Sequence, residues 1–263
     1  MSNPLISKII KASGVSLANV YADSEIINSL DEFAKTDIPM LNVALSGKWD
    51  GGLTPGITIL AGPSKMGKTF IGLILVKAYL DRYEDAVCVF ADSEFGAGKA
   101  YFENLKIDTN RVIHMPVKNV EEAKFALTGI YDNLTRGEHV ITFFDSIGNL
   151  ASKKEMEDAI DGKSVQDMSR AKQIKSFFRI ITPYINLLNV PFIGINHTYQ
   201  TTDFIPTQVM ASGQGPLLSA NTVLFLSKSK DKNGTSLIGF DFKLKAEKSR
   251  FIKEGSVFDM NVS

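Results

Sequence analysis

Ile57-Thr58-Ile59-Leu60-Ala61-Gly62-Pro63-Ser64-Lys65-Met66-Gly67-Lys68-Thr69-Phe70-Ile71-Gly72-Leu73-Ile74-Leu75-Val76-Lys77 joins two apolar runs through a short glycine-bounded loop. The loop, Gly62 to Thr69, fits G-x-x-x-x-G-K-[ST] at every fixed position, which is the pattern of a phosphate cradle. The run before it predicts a buried parallel strand, and the run after it a packed helix, so the motif has the strand-loop-helix context it requires. Gly62 and Gly67 let the backbone aim N–H groups inward across Pro63, Ser64, Lys65 and Met66, while the helix beginning near Lys68 presents its positive dipole end. Lys68 is expected on the β/γ-phosphates of a nucleoside triphosphate. Thr69 is expected to offer its hydroxyl to Mg²⁺, which screens phosphate charge from an attacking nucleophile. The nucleotide-binding stretch then runs from Gly62 through Phe70.

With 263 residues and 44% hydrophobic content, the chain can bury a full core. The expected organisation is one main domain, residues 37–263, behind a polar, Ser/Asn-rich appendage, residues 1–36. Short amphipathic pieces of the appendage such as Leu5-Ile6-Ser7-Lys8-Ile9-Ile10 are too short to own a core. Basic and acidic residues balance at 29 each. No global field therefore draws the protein to nucleic acid or anionic membrane, and any polyanion site must be local. The lone Cys88 cannot form an internal disulfide; inside Val87-Cys88-Val89-Phe90 it reads as a small buried hydrophobe, fitting a reducing compartment. No apolar stretch reaches the roughly 18 residues of a membrane span, and the N-terminus lacks a signal-peptide core. A soluble, cytoplasmic protein without membrane partners is expected.

Along the chain, strands and helices alternate. Ala86 to Ala91 is a second buried strand, ending at Asp92-Ser93-Glu94-Phe95-Gly96, where α/β sheets place ligand-binding carboxylates. A helix over Ala100 to Leu105, a short strand over Arg111 to Met115 and a helix over Val120 to Thr135 lead to Val140-Ile141-Thr142-Phe143-Phe144-Asp145. That apolar run closed by an acid has the Walker B form, and Asp145 is expected to hold the hydration shell of Mg²⁺. Ser152 to Lys163 is a charged tract that breaks the alternation. A helix over Ser164 to Leu188 follows, with Pro183 bending or interrupting it. The strand Pro191 to Asn196 ends at His197. Thr198 to Pro216 has no periodicity and reads as a long functional or mobile loop. The remainder reads as β, with a turn at Lys232-Asn233-Gly234. His114 and His139 lack ligand-spaced partners and read as structural.

Taken together, Gly62 to Thr69, Asp92 to Gly96, Asp145-Ser146-Ile147-Gly148-Asn149-Leu150, Ile195-Asn196-His197 and Glu247-Lys248-Ser249-Arg250 resemble the RecA-type strand-exchange recombinases. The closest branch is the UvsX-type recombinase of T-even-like phages, and the resemblance covers nearly the whole chain. It implies an α/β fold: a RecA-like P-loop NTPase core with a mostly parallel twisted sheet flanked by helices, extended by C-terminal antiparallel strands. By the same resemblance Glu94 is the general base orienting the attacking water, and Tyr101 packs on adenine. His197 stands where RecA carries a glutamine that senses the γ-phosphate. The family usually continues past its last core strand, whereas this chain stops at Ser263.

The resemblance further makes Ser152 to about Lys163 and Thr198 to about Gly215 DNA-facing loops. Lys153, Lys154 and Lys163 can neutralise phosphates, although the four acids beside them equally fit a solvated charged loop. In the second loop Gly213 and Gly215 supply N–H donors and flexibility, and Phe204 is either a base-stacking wedge or a buried anchor. Lys248 and Arg250, two apart on a strand, share one face. In the family such cations reach the γ-phosphate of a neighbouring subunit; here the alternative is an exposed ladder of charge. The resemblance as a whole implies an ATP- and Mg²⁺-dependent, DNA-stimulated ATPase that polymerises on single-stranded DNA and pairs it with homologous duplex DNA. Its filament would hold ATP at the subunit interface, with the appendage as a subunit-contact arm and a recombination mediator and a single-strand-binding protein as partners. The alternatives are a hexameric helicase or KaiC-like ring, a non-hydrolysing filament mediator, and a phosphotransferase, the last disfavoured by the lack of a lid-like arginine cluster.

Overall fold

The computed structural model describes residues 3–28, 32–162, 169–202, 204, 206–233 and 236–262. The chain divides into two compact units, residues 1–32 and 33–263. In the smaller unit, helix α1 (Pro4–Ser13) starts where the Asn3 side chain accepts from the Leu5 amide at 3.0 Å and stops at Gly14, whose φ is 65°. It buries none of its residues, and α2 (Glu25–Asn28) is a single turn. Residues 33–36 belong to the larger unit. Ala34 exchanges backbone hydrogen bonds of 2.8 and 2.9 Å with Leu53, and the Thr36 hydroxyl donates to the buried Asn42 side chain at 2.7 Å.

The larger unit continues through α3 (Pro39–Ser46), β1 (Gly56–Gly62), α4 (Lys68–Arg82), β2 (Val87–Asp92), α5 (Lys99–Asn104), β3 (Val112–Pro116) and α6 (Val120–Asp132). Then come β4 (Val140–Asp145), α7 (Lys153–Ile160), α8 (Ser169–Leu188), β5 (Pro191–Gln200), β6 (Gln208–Met210), α9 (Gln214–Ser219), β7 (Thr222–Asn233), β8 (Ser236–Ser249) and β9 (Val257–Val262). The sheet runs β3-β2-β4-β5-β1-β7-β8-β9, with β6 pairing the extended end of β5. Pairs from β3 to β7 are parallel, and β7-β8 and β8-β9 are antiparallel. The expected α/β architecture, with its antiparallel C-terminal extension, is the one found.

Side-chain alternation sends the sheet into two cores. Along β1, Ile57, Ile59 and Ala61 face α6 and α8, while Leu60 faces α4. Phe143 of β4 packs under α4 so closely that a Cβ on Gly72 would fall 2.5 Å from its ring, whereas Phe144 meets Phe177 of α8 edge-on. Each such buried aliphatic or aromatic side chain contributes roughly 1.5–3 kcal/mol. Because β1, β2, β4 and β5 are parallel, their C-terminal ends share one edge of the sheet, where open α/β sheets bind ligands. Helix α8 passes through Pro183 without interruption. Cys88 is fully buried, and burial pushes its thiol pKa up. His139 bonds Asp85 at 2.8 Å and stacks on Tyr83, which fits its structural reading. No helix among the described residues is long and apolar enough to cross a membrane.

Candidate active site

The phosphate loop forms where β1 ends and α4 begins. Gly67 caps α4 at φ 79°, and a Cβ there would fall 2.5 Å from the Phe242 ring of β8. A Cβ on Gly62 would fall 2.6 Å from the Leu226 carbonyl of β7. The glycines of the motif are therefore enforced from below by the neighbouring strands as well as by the turn itself. Lys68 is only 5% exposed, and its Nζ donates to the Pro63 carbonyl at 2.7 Å. Burial lowers its pKa against the opposing pull of Asp145 and Glu94.

Walker B lies alongside. Thr69 Oγ1 donates to Asp145 Oδ2 at 2.6 Å, while Asp145 Oδ1 is buried with no partner among the described residues. The Asp145 pKa is raised to about 6, by burial above all; Glu94 and Asp92 add to the rise, and the Thr69 hydrogen bond and Lys68 oppose it. A buried carboxylate oxygen without a donor, beside a hydroxyl, is an oxygen set that fits a hard divalent cation such as Mg²⁺. Thr69 and Asp145 are the residues that would hold it.

Glu94 sits on the turn after β2. Asp92 Oδ1 builds that turn by accepting from the amides of Glu94 at 3.0 Å and Phe95 at 2.7 Å, and Asp92 Oδ2 meets His114 Nε2 at 3.1 Å. His114 is thus structural, as a brace on the turn. Three side chains converge on Glu94 Oε1: Asn149 Nδ2 at 2.8 Å, His197 Nε2 at 2.7 Å and the Ser146 hydroxyl. Burial alone would raise the Glu94 pKa, but the bonds from Ser146 and His197 and the charges of His197 and Lys68 outweigh it and hold the carboxyl lower. His197 reaches Glu94 across the end of β4, because β2, β4 and β5 are consecutive parallel strands whose C-terminal ends share one edge of the sheet.

These residues line one cleft of about 280 Å³: Ser64 to Phe70, Glu94, Tyr101, Asp145, Ile195, His197 and Lys228. Tyr101, half exposed on α5, forms part of its wall. Sequence reasoning missed Ser146, Asn149 and Lys228. The first two stand inside the quoted Asp145 to Leu150 stretch, whereas Lys228 is brought in only by sheet register. Lys248 and Arg250 are not in this cleft. Lys248 Nζ donates to the Leu217 and Leu218 carbonyls of α9 at 2.8 and 2.9 Å, and Arg250 is exposed just beyond the end of β8, rather than on the strand. Burial, then Arg250, lower the Lys248 pKa against Glu254.

The first tract expected to face DNA is not a loop. Residues 153–160 form α7, started by a capping box in which Ser152 accepts from the Glu155 amide and the Glu155 carboxylate accepts from the Ser152 amide. Lys153 and Lys154 are exposed, with Lys153 3.8 Å from Glu157, and Lys163 lies outside the described residues. The second tract is also more ordered than expected. Strand β5 extends to Gln200 and pairs β6, Ala211 N donates to the His197 carbonyl at 2.8 Å, and α9 follows. Phe204 is fully exposed, so it is no buried anchor. Gly213 takes φ 72° ahead of α9. Gly215 is buried, where a Cβ would fall 3.0 Å from the Lys175 Cα, so it serves close packing rather than flexibility. Lys172, Lys175 and Arg179, spaced along α8 beside this tract, are exposed cations whose helical spacing was readable in the sequence.

The chain matches no protein-family model. It is 48% identical over 258 residues to the "Recombination and repair protein" of Enterobacteria phage T4, an overlap covering 98% of this chain and 66% of that protein. It is 24% identical over 234 residues to "Protein RecA" of Cutibacterium acnes, covering 81% of this chain and 65% of that protein. The chain thus spans about two thirds of the length of these relatives. With the sheet described above, the similarity to RecA identifies the fold as a RecA-like α/β core.

Proposed function

We propose that this chain is the ATPase core of a DNA recombinase of the UvsX type, acting in recombination and repair. It forms helical filaments on single-stranded DNA and promotes pairing and strand exchange with homologous duplex DNA while hydrolysing ATP. The observation that carries this reading is the convergence in one cleft of the phosphate loop, the Thr69–Asp145 pair and a carboxylate, Glu94, held by His197. The identity to a recombination and repair protein over nearly the whole chain supports the biological role.

In this mechanism Lys68 exchanges the Pro63 carbonyl for β/γ-phosphate oxygens, and the amides of the loop and of the α4 N-terminus bind the remaining phosphate charge. Tyr101 packs on adenine. Thr69 and Asp145 would hold Mg²⁺, which when bound would supply charge screening at the phosphates. Glu94 accepts the proton of the attacking water. Its Oε1 lone pairs are engaged by three donors at rest, which makes it a weak base until His197 turns to the γ-phosphate and gives up its bond. Lys248 and Arg250 complete a neighbouring subunit's site across the filament interface, and the arm, residues 1–32 of the expected 1–36, contacts a neighbour. The second tract, Lys153 and Lys154, with the α8 cations beside the tract, face DNA. A mediator, a single-strand-binding protein and a host-cell cytoplasmic setting complete the proposal.

ATP turnover with and without single-stranded DNA tests it. Wild-type protein should hydrolyse ATP and accelerate on DNA, and Lys68→Ala should do neither while keeping its circular dichroism spectrum. DNA-independent turnover that survives in Lys68→Ala would refute the assignment.

A further inference from the structure

Lys228 stands in the wall of the nucleotide cleft, on a strand that carries none of the motifs. Strand β7 runs parallel to β1 with Phe225 opposite Ala61, so three residues later Lys228 is level with the phosphate loop that follows β1. Alternation gives it the face of Leu224 and Leu226, which pack in the core beneath α4. Its direct cross-strand partner on β8 is Phe242. The Lys228 ammonium lies 4.4 Å from the Phe240 ring centroid and 5.9 Å from that of Phe242.

Phe242 also holds the phosphate loop. It stacks with Phe70 at 6.3 Å, and its ring leaves no room for a side chain on Gly67. One aromatic ring therefore fixes both the loop and the lysine, and the position of Lys228 is set relative to the phosphates the loop would bind. Among the described residues Lys77, Lys99, Lys153, Lys243 and Lys245 all have carboxylate partners, and Lys228 has none. An ammonium seated on ring faces keeps its charge and its N–H donors available to an anion.

We propose that Lys228 is a binding residue for the phosphate chain of the nucleoside triphosphate, a second cation across the cleft from Lys68. This rests on the reading of the cleft as a nucleotide site. A lysine serving only to cover Phe240 and Phe242 would be replaced without loss by methionine, which keeps the unbranched stem and removes the charge.

The test measures dissociation constants for ATP and for adenosine, which has no phosphates, by competition against a fluorescent ATP analogue. Wild type, Lys228→Met, Lys228→Arg and, as control, Lys68→Ala are compared. Lys228→Met should weaken ATP by about ten-fold, the scale of one charge-assisted hydrogen bond, and leave adenosine unchanged. Lys228→Arg should recover most of the loss. If Lys228→Met binds ATP as wild type does, or loses ATP and adenosine affinity equally, the phosphate contact is wrong while the nucleotide site stands. If wild type and Lys68→Ala both fail to bind ATP, the nucleotide reading falls and takes the Lys228 contact with it.

Discussion

Asp145→Asn offers a quantitative test of the buried Walker B carboxylate in the protein without nucleotide or metal. The folded chain moves this carboxyl from 3.8 to about 6. At about 1.36 kcal/mol per pH unit, that displacement destabilises the ionised folded state by about 3 kcal/mol. The sign follows from proton counting. Between the two values the folded chain binds more protons than the unfolded one, so stability contributed by the acid form is intact below the unfolded pKa and lost as pH rises through the folded one. About 2 of the 3 kcal/mol are lost between about pH 4.5 and 7.5. Asparagine lacks this titration. It keeps an acceptor for Thr69 but buries an amide where Oδ1 now lacks a partner, a cost of about 1–3 kcal/mol that does not depend on pH. Absolute stabilities therefore say little, and the change with pH says a great deal. Urea unfolding followed by circular dichroism at both pH values should show the variant gaining on wild type by about 2 kcal/mol at the higher pH. Adding Mg²⁺ and ATP should stabilise wild type and not the variant. A stability difference that stays constant across this range would refute the account of Asp145 as a strained, cation-seeking carboxylate.

Three further outcomes are expected. Glu94→Gln should bind ATP normally and hydrolyse it at least about 100-fold more slowly, since an amide cannot take the proton; single-turnover rates within a few-fold of wild type would place the base elsewhere. Replacing Lys153 and Lys154 with Ala should lower the log-log salt slope of single-stranded DNA binding by about 0.7 for each lost phosphate contact, and an unchanged slope would leave α7 a solvated charged helix. Mixing Lys68→Ala with a Lys248→Ala/Arg250→Ala double variant should restore part of the ATPase activity absent from either alone, because a mixed interface pairs an intact phosphate loop with intact cations; no recovery on mixing would mean the cations do not act in trans.

Much of this arrangement was legible because it is local. An apolar strand, eight loop residues and a helix fix the phosphate cradle within one contiguous stretch, and Asp145 is marked by the apolar run it closes. The convergence on Glu94 was only half legible. Glu94 and His197 come from different strands, and their 2.7 Å contact exists because β2 and β5 flank β4 in the parallel sheet. Lys228 depended on two strand pairings at once, so nothing in its neighbours Ser227 and Ser229 advertised it. Helix α7 could have been found from Ser152-Lys153-Lys154-Glu155, a capping-box spacing whose signal was obscured by the density of charge. The tract from Thr198 to Pro216 lacks hydrophobic periodicity because its order comes from elsewhere: β6 borrows the extended end of β5, and α9 leans on α8 through Gly215.

The Lys248 ammonium spends two of its three donors on the Leu217 and Leu218 carbonyls at the end of α9. Those carbonyls belong to the last turn of a short helix, where no further backbone amide is in line to take them. A side chain committed there cannot also extend to a phosphate on another molecule. The two uses are mutually exclusive, and each bond to a charged donor contributes roughly 1.5–3 kcal/mol. Recruiting Lys248 to a neighbour's nucleotide would thus uncap the C-terminal end of α9 and loosen the turn that joins it to β7. A single lysine would then exchange order inside one subunit for adhesion between two.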